Sequence, residues 1–330
     1  MRWAGRNPCI TQWWPATSSP AAGQRRAAPA DSAPPVSVIV PAYNAQSFLP
    51  EQLAALMSQD AAVVREIVVA DNGSTDRTHD VAVHVALQDR RIRVVDASGR
   101  RGAAHARNVG AAAASGDFFA FCDADDVVAP GWAAALYACA RRTGAQFIAG
   151  VNDHDTLYPY PVRRWRPAIH PSRPSNDTDG NGFAEACNLG VSRAAFDSVD
   201  GFDESLAFAA EDVELSWQLQ RAGFRLERCT DAVVYYRDRV TASAAAGQAY
   251  RYGRGNTVFL RARDTAVSPW WRLITAALPL MARTPALFGS RRARVTWLRQ
   301  AAFWAGGVRG LFDTEPPHTR HGVSGQAGLR

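Results

Sequence analysis

Short apolar runs, rich in β-branched or aromatic residues, recur through the first 150 residues, each followed by a stretch of helical length. They occupy 36–40, 66–71, 92–95, 118–123 and 147–151. Strands that are apolar on both faces must be covered on both faces, and strands alternating with helices form mainly parallel, Rossmann-like sheets. The fold class expected is therefore α/β. Periodicity predicts helices over 47–58, 103–114 and 132–142. Residues 75–89 are ambiguous, because Val81, Val83, Val85 and Leu87 alternate like a strand; length and position between two strands predict a helix. Beyond Val151 the pattern breaks into a long Asn-, Asp-, Pro- and Arg-rich loop over 152–182. Order returns at 188–193, and a helix over 211–222 closed by Gly223, a strand at 233–236 and a basic helix over 242–263 follow.

Composition excludes several classes. The net charge of +6, carried by arginine and concentrated toward the C-terminus, suits a phosphorylated ligand, anionic lipid or nucleic acid without choosing among them. No module for nucleic acid is recognisable, and none is expected as a partner. The five cysteines are widely spaced with no C-x-x-C pair, which argues against a disulfide framework or a structural zinc and for a reducing, cytoplasmic setting. Residues 1–35 lack the apolar core of a signal peptide and read as a disordered leader or an upstream start; 313–330 read as a disordered tail. No run is long enough to span a membrane.

Ligands of open parallel sheets bind at the carboxyl ends of strands. Three polar clusters stand at such ends: Pro41-Ala-Tyr-Asn-Ala45, Asp71-Asn-Gly-Ser-Thr-Asp76 and Asp123-Ala-Asp-Asp126. Each alone could be a turn or a helix cap. Together they place several carboxylates on one edge, where a shared cation relieves their repulsion. Asp123 and Asp125, just past a strand, offer two hard oxygen ligands for Mg²⁺ or Mn²⁺. Neither a dinucleotide fingerprint nor a P-loop is present.

The ordered set formed by Val38-Ile-Val-Pro-Ala-Tyr-Asn44, Asp71-Asn-Gly-Ser-Thr-Asp76, Gly102, Ala106-Arg-Asn108, Asp123-Ala-Asp-Asp126, Gly201-Phe-Asp-Glu204 and Glu211-Asp212 resembles the family 2 glycosyltransferases of GT-A fold. The resemblance covers residues 36–237. It implies a GT-A catalytic domain over 36–240, with a donor half (36–151) and an acceptor half (152–240), followed by a helical basic extension over 241–312. It further implies inverting transfer from a nucleotide-diphosphate sugar to an acceptor hydroxyl, in cell-envelope, polysaccharide or glycolipid synthesis.

By family position, Pro41, Tyr43, Asn44, Asp71, Gly73, Ser74, Arg107, Asp123 and Ala124 line the donor site. Asp123 and Asp125 hold a divalent metal, Mn²⁺ or Mg²⁺, and Asp212 is the general base. Asn188, Gly190, Glu211 and Trp217 fall on the acceptor side; Trp217 is open to stacking on a sugar or to core packing. The acceptor is expected to be a carbohydrate or a lipid-linked molecule.

Two departures stand out: Asn72 replaces the second aspartate of many relatives, and Val234-Tyr-Tyr-Arg-Asp238 lacks a histidine, leaving a tyrosine or Arg237 to meet the diphosphate. The Q-x-x-R-W motif of processive synthases is absent, which favours single transfer. A catalytically silent nucleotide-sugar-binding scaffold is the rival reading; a nucleotidyltransferase would show a glycine-rich basic loop after the first strand. The aromatic and basic residues of 269–312 fit either helices packed on the domain or an interfacial helix on the inner face of a membrane.

Overall fold

The structure is a computed structural model and describes residues 35–157, 182–206, 209–261 and 268–313. The expected leader, most of the 152–182 loop and all but the first residue of the tail lie outside the described residues. Strands β1 (Val36–Ala42), β2 (Val64–Asp71), β3 (Ile92–Asp96) and β4 (Phe118–Cys122) pair in parallel in the spatial order β3-β2-β1-β4. Every residue of β1 and β4 is buried, which explains their unbroken apolar runs. Val38 and Val40 share one core with helices α1 (Leu49–Met57) and α4 (Trp132–Thr143). Ile39, Val68 and Phe119 share the opposite core with α3 (Ala103–Ala113). The ambiguous segment is helix α2 (Thr78–Ala86): Thr78 and Ala82 are buried while Val83 and Leu87 face solvent, so the alternation is incidental.

The rest of the sheet is mixed, and here the all-parallel pattern of the first half stops. Strand β7 (Asn188–Ser192) inserts between β4 and β6 (Phe147–Asp153), antiparallel to both. Strand β8 (Leu226–Tyr235) runs parallel to β6 and takes the two-residue β5 (Val127–Val128) as an antiparallel neighbour. The reversal of β7 is what builds the site: Asn188 pairs with Cys122, so residues 185–187 arrive at the edge where the chain leaves β4. Strand β5 and the six-residue helix α5 (Arg193–Ser198) are too short to carry a periodic signal.

Helix α6 (Glu211–Arg221) is followed by Gly223 at φ 90°, as its sequence predicts. Beyond it lie α7 (Ala242–Arg261), α8 (Pro269–Ala282), a 3₁₀ turn (Thr284–Phe288) and α9 (Arg291–Gly310). Helices α7 and α9 touch backbone to backbone. A Cβ on Gly253 would stand 1.9 Å from the Phe303 carbonyl oxygen, and one on Gly306 would stand 1.9 Å from that of Tyr250. Among the described residues, no helix is long and apolar enough to cross a membrane.

Candidate active site

The three polar clusters end on adjacent strands β2, β1 and β4, so they meet along one edge. The first two loops are stitched together. Asn44, at φ 50°, accepts from the Thr75 amide (2.8 Å) and donates its own amide to Ser74 Oγ (3.1 Å). The Ala45 amide reaches Thr78 Oγ1 (2.7 Å), and Gln46 accepts from the Arg77 amide (2.9 Å). Asp71 accepts from the Ser74 amide (3.1 Å), across a turn that Gly73 makes possible at φ 73°. Asn72 is buried and faces away: it donates to the carbonyls of Ala97 and Arg100 and accepts from the Gly102 amide at 2.8 Å. A carboxylate there would lose both donor contacts, so asparagine fits this chain's loop. Tyr43 is exposed at the rim, and its hydroxyl accepts from Arg101 at 2.7 Å.

Arg107 ties the two halves of the edge together. From α3 it donates to Asp123 (2.8 Å) and to Glu211 at the start of α6 (2.8 Å), with its guanidinium over the Phe202 ring. Burial pulls its pKa down, but the charges of Asp123 and Glu211 more than reverse this, so it stays a cation. The Gly201-Phe-Asp-Glu204 segment braces α3 from outside. Asn108 exchanges bonds with the Phe202 backbone, and Glu204 accepts from Asn108 (2.9 Å) and contacts His105 (3.0 Å).

Ala210, in the left-handed region at φ 74°, precedes α6 and sets the entry of Glu211 and Asp212. A non-glycine residue pays of the order of 1 kcal/mol for that conformation. Glu211 turns to Arg107, while Asp212 turns toward the chain before β7, with Oδ2 3.5 Å from the Ala186 amide. Burial, then the charges of Glu211 and Glu185, push Asp212 up to about 7.

Three ligand atoms, from Asp123, Asp126 and Cys187, lie within 4.8 Å of one another. Asp126 is buried; one oxygen accepts from the Arg237 amide at 2.7 Å and the other has no partner. Burial, then the charges of Asp123 and Asp125, push its carboxyl well above the ordinary range. An orphaned buried carboxylate oxygen among two further carboxylates fits a divalent cation. The Cys187 thiol is also pushed up by burial and suits a hard ion poorly, so a cation here would be held by the carboxylate oxygens, with the thiol beside them. Asp125 pairs with Arg239 at 2.8 Å, on the same loop.

A family model described as "Glycosyl transferase family 2" matches residues 37–200, and one described as "Glycosyl transferase family group 2" matches 186–312. The chain belongs to glycosyl transferase family 2. It is similar to Glycosyltransferase GlyG of Streptococcus pneumoniae, 32% identical over 35% of this chain and 38% of that protein. Succinoglycan biosynthesis protein ExoA of Rhizobium meliloti is 28% identical over 79% of each. With the first four such relatives the match spans between 27% and 38% of their length. Among solved structures, mannosyltransferase PcManGT from Pyrobaculum calidifontis, in complex with GDP-Man and Mn²⁺, superposes with a TM-score of 0.61 at 21% identity. That match covers 86% of this chain and 89% of the other, and it shows the GT-A fold.

In this family 2 chain, Pro41 and Asp71 lie at the ends of β1 and β2, and Tyr43, Gly73, Asp123 and Ala124 lie in the loops that follow β1, β2 and β4, along one edge of the sheet. Asn44 and Ser74 spend polar groups on joining two of those loops. Asn188 and Gly190 sit within the sheet rather than on an acceptor surface. Asn188 accepts from the Trp132 indole (2.8 Å) and donates to the carbonyls of Val151 and Ala232, and a Cβ on Gly190 would meet Phe118 at 2.8 Å. Trp217 packs edge-on against Phe259 of α7, 6.3 Å between centroids. Arg237 is held by Glu51 (2.5 Å) and by the Asp125 carbonyl (2.8 Å). Asp126, Glu185, Cys187 and Arg239 are site residues that the sequence reading did not single out. Asp126 was within reach as the last member of an acidic cluster; the others had no local signal, because only the reversed β7 and the end of β8 carry them there.

Proposed function

We propose that the chain transfers a sugar, with inversion, from a nucleotide-diphosphate sugar to an acceptor hydroxyl. The observation that carries this reading is the bridge by which Arg107 joins the strand-end carboxylate of Asp123 to Glu211, the neighbour of Asp212 at the start of α6. Tyr43, Pro41 and Asp71 receive the nucleoside at the ends of β1 and β2. The carboxylates of Asp123, Asp125 and Asp126 would hold Mn²⁺ or Mg²⁺, and the ion would neutralise charge developing on the diphosphate. Arg107 keeps Asp123 and Glu211 fixed while charge shifts nearby. Asp212, titrating near neutrality, takes the proton of the acceptor hydroxyl as its oxygen attacks the anomeric carbon opposite the departing diphosphate. Similarity to a succinoglycan biosynthesis protein supports a carbohydrate or lipid-linked acceptor and a role in polysaccharide or envelope synthesis. The reaction is assigned to the cytoplasm, at the inner membrane face where the acceptor is lipid-linked.

The test is binding and hydrolysis of UDP-, GDP- and dTDP-sugars with and without Mn²⁺. One nucleotide should bind in a metal-dependent way, and Asp125→Ala should weaken that binding. A folded protein that binds a nucleotide sugar but never turns it over with any acceptor is a silent scaffold. One that binds none is not a transferase.

A further inference from the structure

Helix α8 has two apolar faces, and only one is explained by the fold. Leu273 and Leu280 lie along α9: a Cβ on Gly307 would meet Leu273 Cδ2 at 2.6 Å, and the Trp304 and Trp297 indoles donate to the Leu273 and Leu280 carbonyls. On the other side stand Trp270, Trp271, Ile274, Leu278 and Met281, which helical geometry gathers within an arc of about 100°. Trp271, Leu278 and Met281 are 60%, 66% and 69% exposed, and Phe288 continues the strip at 91%. A strip of this size on a water-soluble surface marks a contact.

Charge says what kind. From Thr265 to Phe312 the chain carries seven arginines and no aspartate or glutamate. Arg283, Arg291, Arg292 and Arg294 follow the strip in sequence and are exposed. Three of them, Arg291, Arg292 and Arg294, occupy the first turn and a half of α9, where the helix dipole disfavours cations, although Arg294 also donates to the Gly289 carbonyl at 2.9 Å. Between the end of α8 and α9 runs an open groove of about 360 Å³ whose lining includes Arg283, Arg292, Ser290 and Trp297.

We propose that the α8–α9 face lies on an anionic lipid surface, with the Trp270–Met281 strip in the headgroup–acyl boundary and the arginines on lipid phosphates. Tryptophan and arginine beside an apolar helix face are the residues that this boundary accommodates best. The inference does not depend on which sugar, if any, the donor site takes.

The test is flotation of the full-length protein with phosphatidylcholine vesicles, alone or containing phosphatidylglycerol, at low and high salt. Binding is expected to the anionic vesicles only and to fall with salt. Leu278→Glu, and separately the pair Arg291→Glu with Arg292→Glu, should each weaken it at least about tenfold with an unchanged circular dichroism spectrum. Failure of the folded wild type to bind anionic vesicles, or equal binding to neutral ones, overturns the proposal. So does a dimer, seen by light scattering, that Leu278→Glu dissociates and vesicles do not; the strip then belongs to a second copy.

Discussion

Asp212 meets opposing demands, since the fold favours its protonated form and proton abstraction needs the ionised one. Its carboxyl lies near 7 in the folded chain against 3.8 for the free side chain. Between those values the folded state binds the proton more tightly, so this group's contribution to stability is present at low pH and lost as pH rises through about 7. Asp212→Asn should therefore raise Tm at pH 8 by about 2 °C or more, measured by calorimetry. The same variant should lower kcat at least about 100-fold, with donor binding retained. Wild-type kcat should climb with pH through about 7. A profile that stays flat through about 7, or an unchanged kcat in the variant, would remove Asp212 as the base.

Arg107→Ala leaves two carboxylates facing each other around a lost cation, and should cost about 3 kcal/mol in urea unfolding. Arg107→Lys should recover little, because one ammonium on a shorter stem cannot reach both partners. The position of Arg107 after Ala106 was legible as part of a motif. Its partners were not: the motif implies a residue lining the donor site, and the structure shows a buried bridge whose partners lie 16 and 104 residues away.

At the scale of elements, the longer helices and strands were legible, and the direction of β7 was not. The helices of the first half announce themselves by spacing, and α2 by its place between strands. Nothing in Asn188-Leu-Gly-Val-Ser192 says that it runs against β4, because direction is decided by where the preceding loop delivers the chain. The C-terminal helices were legible as basic and apolar, while their pairing through glycine was hidden, since glycine in a helix reads only as a weakness. Here it permits backbone contact. Gly306→Val should force α7 and α9 apart and destabilise the chain by at least about 2 kcal/mol, detectable as faster proteolysis within 242–310. A neutral effect would mean that the two helices can separate without loss.

Across the whole molecule, a cation at the acidic edge would act on stability as well as chemistry. Mn²⁺ binding only the folded chain raises Tm by mass action, and a chelator reverses it. Asp126→Asn should raise the metal-free Tm, by deleting a buried carboxyl with an orphaned oxygen, and should abolish the Mn²⁺ shift in differential scanning fluorimetry. An undiminished shift would assign the ion to Asp123 and Asp125 without Asp126.

The insertion of β7 also has a consequence in time. During synthesis β1 to β4 emerge together and can pair in the order they are made. The Phe118–Cys122 strand then has an open flank until Asn188–Ser192 appears, some 66 residues later. At roughly 5–20 residues per second, that is several seconds with a Phe-Phe-Ala-Phe edge unpaired. The strand that brings Glu185 and Cys187 to the acidic edge is thus also the one that closes this flank of the nascent sheet.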